Sequence, residues 1–205
     1  MNISLSNKIA YISAKDYIKN YRDFARFIKL CKQCSRYGKT WACPPFNFNT
    51  DKYIEGYEHV YIIGTKVKFD ECRQPKSIEE RDKLSNQAMY IAIDKLKRVH
   101  EKMLLEFPET VSFLVGPCRI CSPEPCARLS GLLCRHPNEV RHSIESVGFD
   151  VGKTTSELLG IELKWSIDNN LPEYITLVTA LFTKYDKDLF GTMLEKELDI
   201  INKEY

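Results

Sequence analysis

The chain has 205 residues, 30 lysines and arginines against 28 aspartates and glutamates, a formal charge of +2, and 43% hydrophobic side chains. Such a length and composition suit a globular chain that buries its own core, and exclude a disordered tail. The near balance of charge argues against duplex nucleic acid or an anionic membrane as the main partner, and no apolar run approaches the roughly 20 residues of a membrane span.

Residues 1–6 lack the apolar core and small-residue cleavage site of a signal peptide, so a cytoplasmic location is expected. Residues 15–30 carry Tyr17, Tyr21, Phe24, Phe27 and Ile28 at helical spacing, with Asp16 near the start. A cysteine cluster follows, and Pro44 and Pro45 stop any helix there. The stretch from His59 to Phe69, rich in valine, isoleucine and tyrosine, reads as a strand. Residues 78–107 form the strongest expected helix, with Leu84, Ala88, Ala92, Leu96, Val99, Met103 and Phe107 recurring every three or four positions. Pro108 ends it, and residues 110–115 read as a short strand. Strand, long helix and strand together predict a βαβ unit with a parallel pair. The second cysteine cluster leaves this second strand directly. Two short helices are expected at 137–147 and 153–159, a hairpin between 161–166 and 174–182 with Asp168, Asn169 and Asn170 in its turn, and a closing helix over 189–205. With no internal repeat or linker, the expectation is one α+β domain over residues 1–205: a small mixed sheet, flanking helices and two cysteine-rich loops.

Eight cysteines without an export signal point to metal ligands or redox groups, because a reducing compartment keeps disulfides rare. Seven fall in two clusters. The first is Cys31-Lys-Gln-Cys34 followed by Cys43-Pro44-Pro45. A Cys-x2-Cys turn brings two thiolates to one centre, and proline after a ligand cysteine also occurs in iron–sulfur runs. Three thiolates fall one short of a closed site, so either a fourth ligand comes from elsewhere or one metal keeps an open position. The second cluster supplies Cys118, Cys121, Cys126 and Cys134 within 17 residues, among Pro117, Pro123, Pro125 and Pro137. Four thiolates on a stiff loop complete a zinc site or a [4Fe–4S] cube equally well. A zinc site shared by the two Cys-x2-Cys pairs would leave three clustered cysteines unused. Iron–sulfur binding employs more of them, and zinc remains the alternative.

The frame Cys-x2-Cys-x8-Cys-Pro-Pro with Tyr37-Gly38-Lys39 inside it, then Gly116-Pro-Cys-x2-Cys, a further cysteine and Cys134-Arg-His-Pro, resembles an uncharacterised bacterial and archaeal family of predicted metal-binding proteins. Residues 143–151 are similar to that family's segment after the last cysteine. The resemblance covers about residues 27–160. It implies metal binding in a cytoplasmic protein, with Cys31, Cys34, Cys43, Cys118, Cys121, Cys126 and Cys134 as ligands, and it implies no settled reaction. Here Cys126 lies five residues after Cys121 and the loop on to Cys134 is long, two departures from the family spacing. Cys72 lies outside the frame and reads as an incidental thiol; otherwise it closes the three-cysteine site.

The segment from Gly148 to Thr154 nearly spells a phosphate-binding loop, but only three residues separate its glycines where that motif needs four, and Gly148 reads instead as a helix cap. His136 is the histidine nearest a cluster, as a ligand or an outer-shell group. Arg36, Lys39, Arg119 and Arg135 flank the cysteines, and Tyr37 and Trp41 stand ready to shield the first site. No dinucleotide fingerprint, flavin motif or hydrolytic triad is present. The expected function is therefore an iron–sulfur protein with one or two [4Fe–4S] clusters, in electron transfer or as a reductase component, served by a redox partner protein or a small-molecule substrate. The alternative is a zinc-stabilised binding module without catalysis.

Overall fold

The computed structural model describes residues 2–69 and 74–204. In chain order its regular elements are β1 (Ile3–Ser13), α1 (Ala14–Tyr21), α2 (Phe24–Cys31), α3 (Thr50–Ile54), β2 (His59–Phe69), α4 (Ile78–Glu106), β3 (Thr110–Phe113), α5 (Val151–Glu157), β4 (Ile175–Thr183) and α6 (Lys187–Lys203). The four strands form one sheet in the order β1-β2-β4-β3.

The strand, helix, strand unit is present in split form. β2 and β3 point the same way, since each pairs antiparallel with β4, but β4 lies between them. Every neighbouring pair of the sheet is thus antiparallel, not mixed. The apolar run of β4, buried from Leu177 through Thr183, suits a central position with both faces covered. The expected hairpin between 161–166 and 174–182 is absent for the same reason: both edges of β4 are already occupied. What remains of it is one bridge, Ile167 to Asn170, with Asp168 in the left-handed region at φ 50°.

Two hydrophobic layers cover the sheet. On one face Tyr61, Ile63, Val67, Leu177 and Leu181 meet Ala88, Ala92, Leu96 and Met103 of α4 and Phe190, Leu194 and Leu198 of α6. On the other, Val60, Ile62, Val178, Ala180 and Phe182 meet Tyr17 and Tyr21 of α1 with Ile144, Val147, Phe149 and Leu159. The long α4 starts at Ser77, whose side chain accepts the Glu80 amide at 3.1 Å.

The helix expected over 15–30 is broken at Arg22 and Asp23. There the chain turns extended and pairs with the segment around Phe149: Asp150 N donates to the Tyr21 carbonyl and Asp23 N to the Gly148 carbonyl, both at 2.8 Å. Asp23 then caps α2 by accepting the Arg26 amide at 3.0 Å. The expected helix at 137–147 is not formed. That stretch runs along the free edge of β3, with Leu114 N donating to the His142 carbonyl at 3.0 Å, and ends in a 3-10 turn, Glu145–Val147. Gly148 does end that turn, at φ 101°. In α5 the nearby Asp150 side chain accepts the Lys153 amide, leaving an ordinary capped helix rather than a phosphate cradle.

Candidate metal centre

The first cysteine loop is folded by its own backbone. Past the end of α2, Cys34 N donates to the Cys31 carbonyl at 3.0 Å, Tyr37 N to the Cys34 carbonyl at 3.1 Å, and Cys43 N to the Thr40 carbonyl at 3.2 Å. Gly38 N reaches the Pro44 carbonyl at 2.8 Å and closes the loop. Cys31 and Cys43 are half-buried and Cys34 is exposed. Burial, then the charges of Glu145, Cys43 and Cys34, pushes the Cys31 thiol up, so these three cysteines and Glu145 share one neighbourhood. The carboxyl of Glu145 is itself raised, by burial.

The second loop leaves β3 and crosses α4, where Arg119 pairs with Asp94 and lies over the Tyr90 ring at 4.2 Å. Cys118, Cys121, Cys126 and Cys134 are all half-buried and line one cavity of about 190 Å³, together with Trp41, Pro123 and His136. Burial is also the main cause that raises the Cys118 thiol, and the charges of Cys126, Cys121 and Cys134 add to it. None of the seven cysteines is in a disulfide. Thiols raised in this way stay protonated until a cation displaces the proton. Among the described residues, no three histidine, cysteine or acidic side chains are grouped as a ready site for a single metal ion.

Three side chains lock the loops together at the β3 end of the sheet. Arg128, in a 3-10 turn (Ala127–Ser130) right after Cys126, donates from Nη1 to the carbonyls of Thr40 at 2.8 Å and Cys43 at 2.7 Å, and from Nη2 to that of Pro45. Trp41 Nε1 donates to the Leu132 carbonyl at 3.0 Å. His142 Nδ1 donates to the Ala42 carbonyl at 3.1 Å. The two clusters therefore sit side by side.

The family model of predicted metal-binding proteins (DUF2284) matches residues 17–182. The chain belongs to this family. The matched stretch contains all seven clustered cysteines and both loops, and leaves out β1 and α6. Neither the curated proteins nor the solved structures yielded a match.

Within this DUF2284 chain, the sequence signals resolve unevenly. His136 does line the four-cysteine cavity, with Nδ1 3.0 Å from Glu139 Oε1. Arg135 donates to the Pro125 carbonyl at 2.9 Å, so it braces the loop. Arg36 and Lys39 are exposed. Cys72 lies outside the described residues. Sequence reasoning missed Arg128, His142 and Glu145. A charged residue two positions after Cys126 was the available signal for Arg128; the other two lie in a stretch read as a plain helix.

Proposed function

We propose that the chain is an iron–sulfur protein, with a [4Fe–4S] cluster held by Cys118, Cys121, Cys126 and Cys134 and a second centre on Cys31, Cys34 and Cys43. The observation that carries this reading is the ring of four cysteines around one cavity. A cavity of about 190 Å³ lined by four cysteines has room for a group with volume, whereas a lone ion such as zinc needs only a point between them. The donor set is soft sulfur throughout, as iron–sulfur centres prefer. When bound, such a cluster supplies one-electron transfer.

The chain's own residues do the rest. Arg128 and Trp41 fix the spacing of the loops, and Trp41 supplies an aromatic wall of the four-cysteine cavity. Arg119 and Arg135 set positive charge close by, which would favour a reduced, more negative centre. In the three-cysteine loop Glu145 is the nearby group able to serve as a fourth, oxygen ligand or to leave that position to a small molecule. Leu129, Leu132 and Leu133 stand exposed on the second loop and form an apolar rim where a redox partner protein would dock.

Anaerobic purification tests the reading. Brown protein with absorption near 400 nm and matching iron and acid-labile sulfide supports it. Replacement of Cys118, Cys121 or Cys134 by serine should remove iron and sulfide from that centre. A colourless protein holding zinc, or full iron occupancy in all three variants, overturns it.

A further inference from the structure

We propose that a second cavity, beside the four-cysteine loop, binds a planar organic carboxylate carrying a hydroxyl or amino donor. This cavity has a volume of about 420 Å³ and is walled by Trp41, Phe48, Tyr53, Cys134, Arg141 and His142. That is within the size range of small-molecule sites, which combine apolar walls with a few placed polar groups.

Each wall specifies part of the ligand. Phe48 and Tyr53 pack at 4.9 Å between ring centroids, and both pack on the His142 ring, at 5.2 and 5.5 Å. These rings are tilted or edge-on to one another, and an aromatic wall of faces and edges favours an aromatic, hence planar, ligand over an aliphatic one. Arg141 places its charge near Tyr53 and His142. Its Nη1 donates to the Asn138 and Val140 carbonyls at 2.7 and 3.1 Å, and no carboxylate pairs with it among the described residues. An uncompensated guanidinium on a cavity wall calls for an anion, and its fork fits a carboxylate.

His142 sets the remaining feature. A carbonyl can only accept, so the bond to Ala42 fixes the proton on Nδ1 and leaves Nε2 as an acceptor. The residue is 5% exposed, and burial favours its neutral form. Nε2 has no hydrogen-bond partner among the described residues and is not among the sealed polar atoms, so it is open to a donor on a ligand. Cys134 and Trp41 wall both cavities, which would seat the ligand against the four-cysteine centre. That adjacency to a redox group rests on the function proposed above; the binding itself does not.

The chain's two tryptophans make the test direct. Trp165 is 76% exposed and lies elsewhere, so the Trp165→Phe protein reports Trp41 alone. Titrating the purified protein with 4-hydroxybenzoate should quench Trp41 emission saturably. Benzoate, lacking the donor, should bind several-fold more weakly, and cyclohexanecarboxylate more weakly still. Arg141→Met should cost about tenfold for both aromatic acids, the weight of one charge-assisted hydrogen bond. His142→Asn, which keeps a donor for Ala42, should erase the preference for 4-hydroxybenzoate over benzoate. No saturable quenching, equal binding of the cyclohexane acid, or unchanged affinity in Arg141→Met overturns the proposal. Iron and sulfide counts on the same samples keep the two readings apart. Binding lost with iron retained sinks the pocket alone, and binding retained in a protein without iron sinks the cluster alone.

Discussion

The Arg128 guanidinium lies over the Trp41 ring at 4.7 Å while it donates to the carbonyls of Thr40 and Cys43. One side chain of the second loop thus organises the first. A planar, multiply donating cation can stack and reach several carbonyls at once; a lysine ammonium cannot. Arg128→Met should lower stability by about 2 kcal/mol and release metal from the three-cysteine loop before the four-cysteine loop. Arg128→Lys should recover little of it. Chelator-challenged metal release, followed by absorbance, checks the order.

The three-cysteine site poses a choice between Glu145 and Cys72. Glu145 shares a neighbourhood with Cys31, whereas the cysteine frame is complete without Cys72. Cys72→Ser should therefore leave metal content and the spectrum of the first centre unchanged. Glu145→Gln should alter that spectrum while leaving the second centre as it was. Loss of the first centre in Cys72→Ser would reverse the assignment.

Gly148 holds α2 in place. Its φ of +101° suits glycine, and a Cβ there would stand 2.7 Å from the Phe24 Cα at the start of α2. Because the obstacle is backbone, it cannot swing aside. Gly148→Ala should cost at least about 2 kcal/mol, from left-handed strain together with the clash. The displacement would run along α2 to Cys31, so metal uptake by the first loop should slow as well. Chemical denaturation and uptake kinetics measure the two effects.

His100 predicts an acid-sensitive core. It lies 1% exposed on α4 and bonds to both β3 and β4, with Nδ1 2.8 Å from Ser112 Oγ and Nε2 3.0 Å from Thr179 Oγ1. Burial above all, and the Arg141 charge to a lesser degree, takes its pKa from 6.5 down to about 3. Below pH 6.5 the unfolded chain binds a proton that the folded chain refuses, so this contribution is complete above that pH and is lost as the pH falls toward 3. The slope is about 1.4 kcal/mol per pH unit. His100→Gln should be less stable at pH 7 and should lose less stability between pH 6.5 and 4.5 than the parent. Parallel denaturation curves in the two proteins would contradict this.

The elements legible in the sequence were those whose pattern is local. The long α4 and the strand β2 match their expected spans closely, because each carries its period over many residues. β1 went unread although Ile3 and Leu5 are buried while Ser4 and Ser6 are exposed, an alternation of period two. Its partner β2 starts only at His59, far along the chain from Ser13, and an edge strand carries a weak signal. The hairpin failed because strand order is a property of the whole sheet, invisible to a segment around Trp165. Around the candidate site, the two cysteine clusters are visible in the sequence as spacing. Arg128, Glu145 and His142 are not, because what they touch is set by where two distant loops meet.

β4 is the middle of the sheet and nearly the last element to be synthesised. On the ribosome, all seven clustered thiols emerge well before the strand that fixes β3 and so anchors the second loop. β1 and β2 can pair early, but β3 has no strand partner until residues 175–183 arrive, only the single bridge from Phe113 to His142. The nascent chain therefore carries its sulfurs on untethered loops for some sixty residues of translation past Cys118. During that interval the thiols are open to oxidation and to any stray cation.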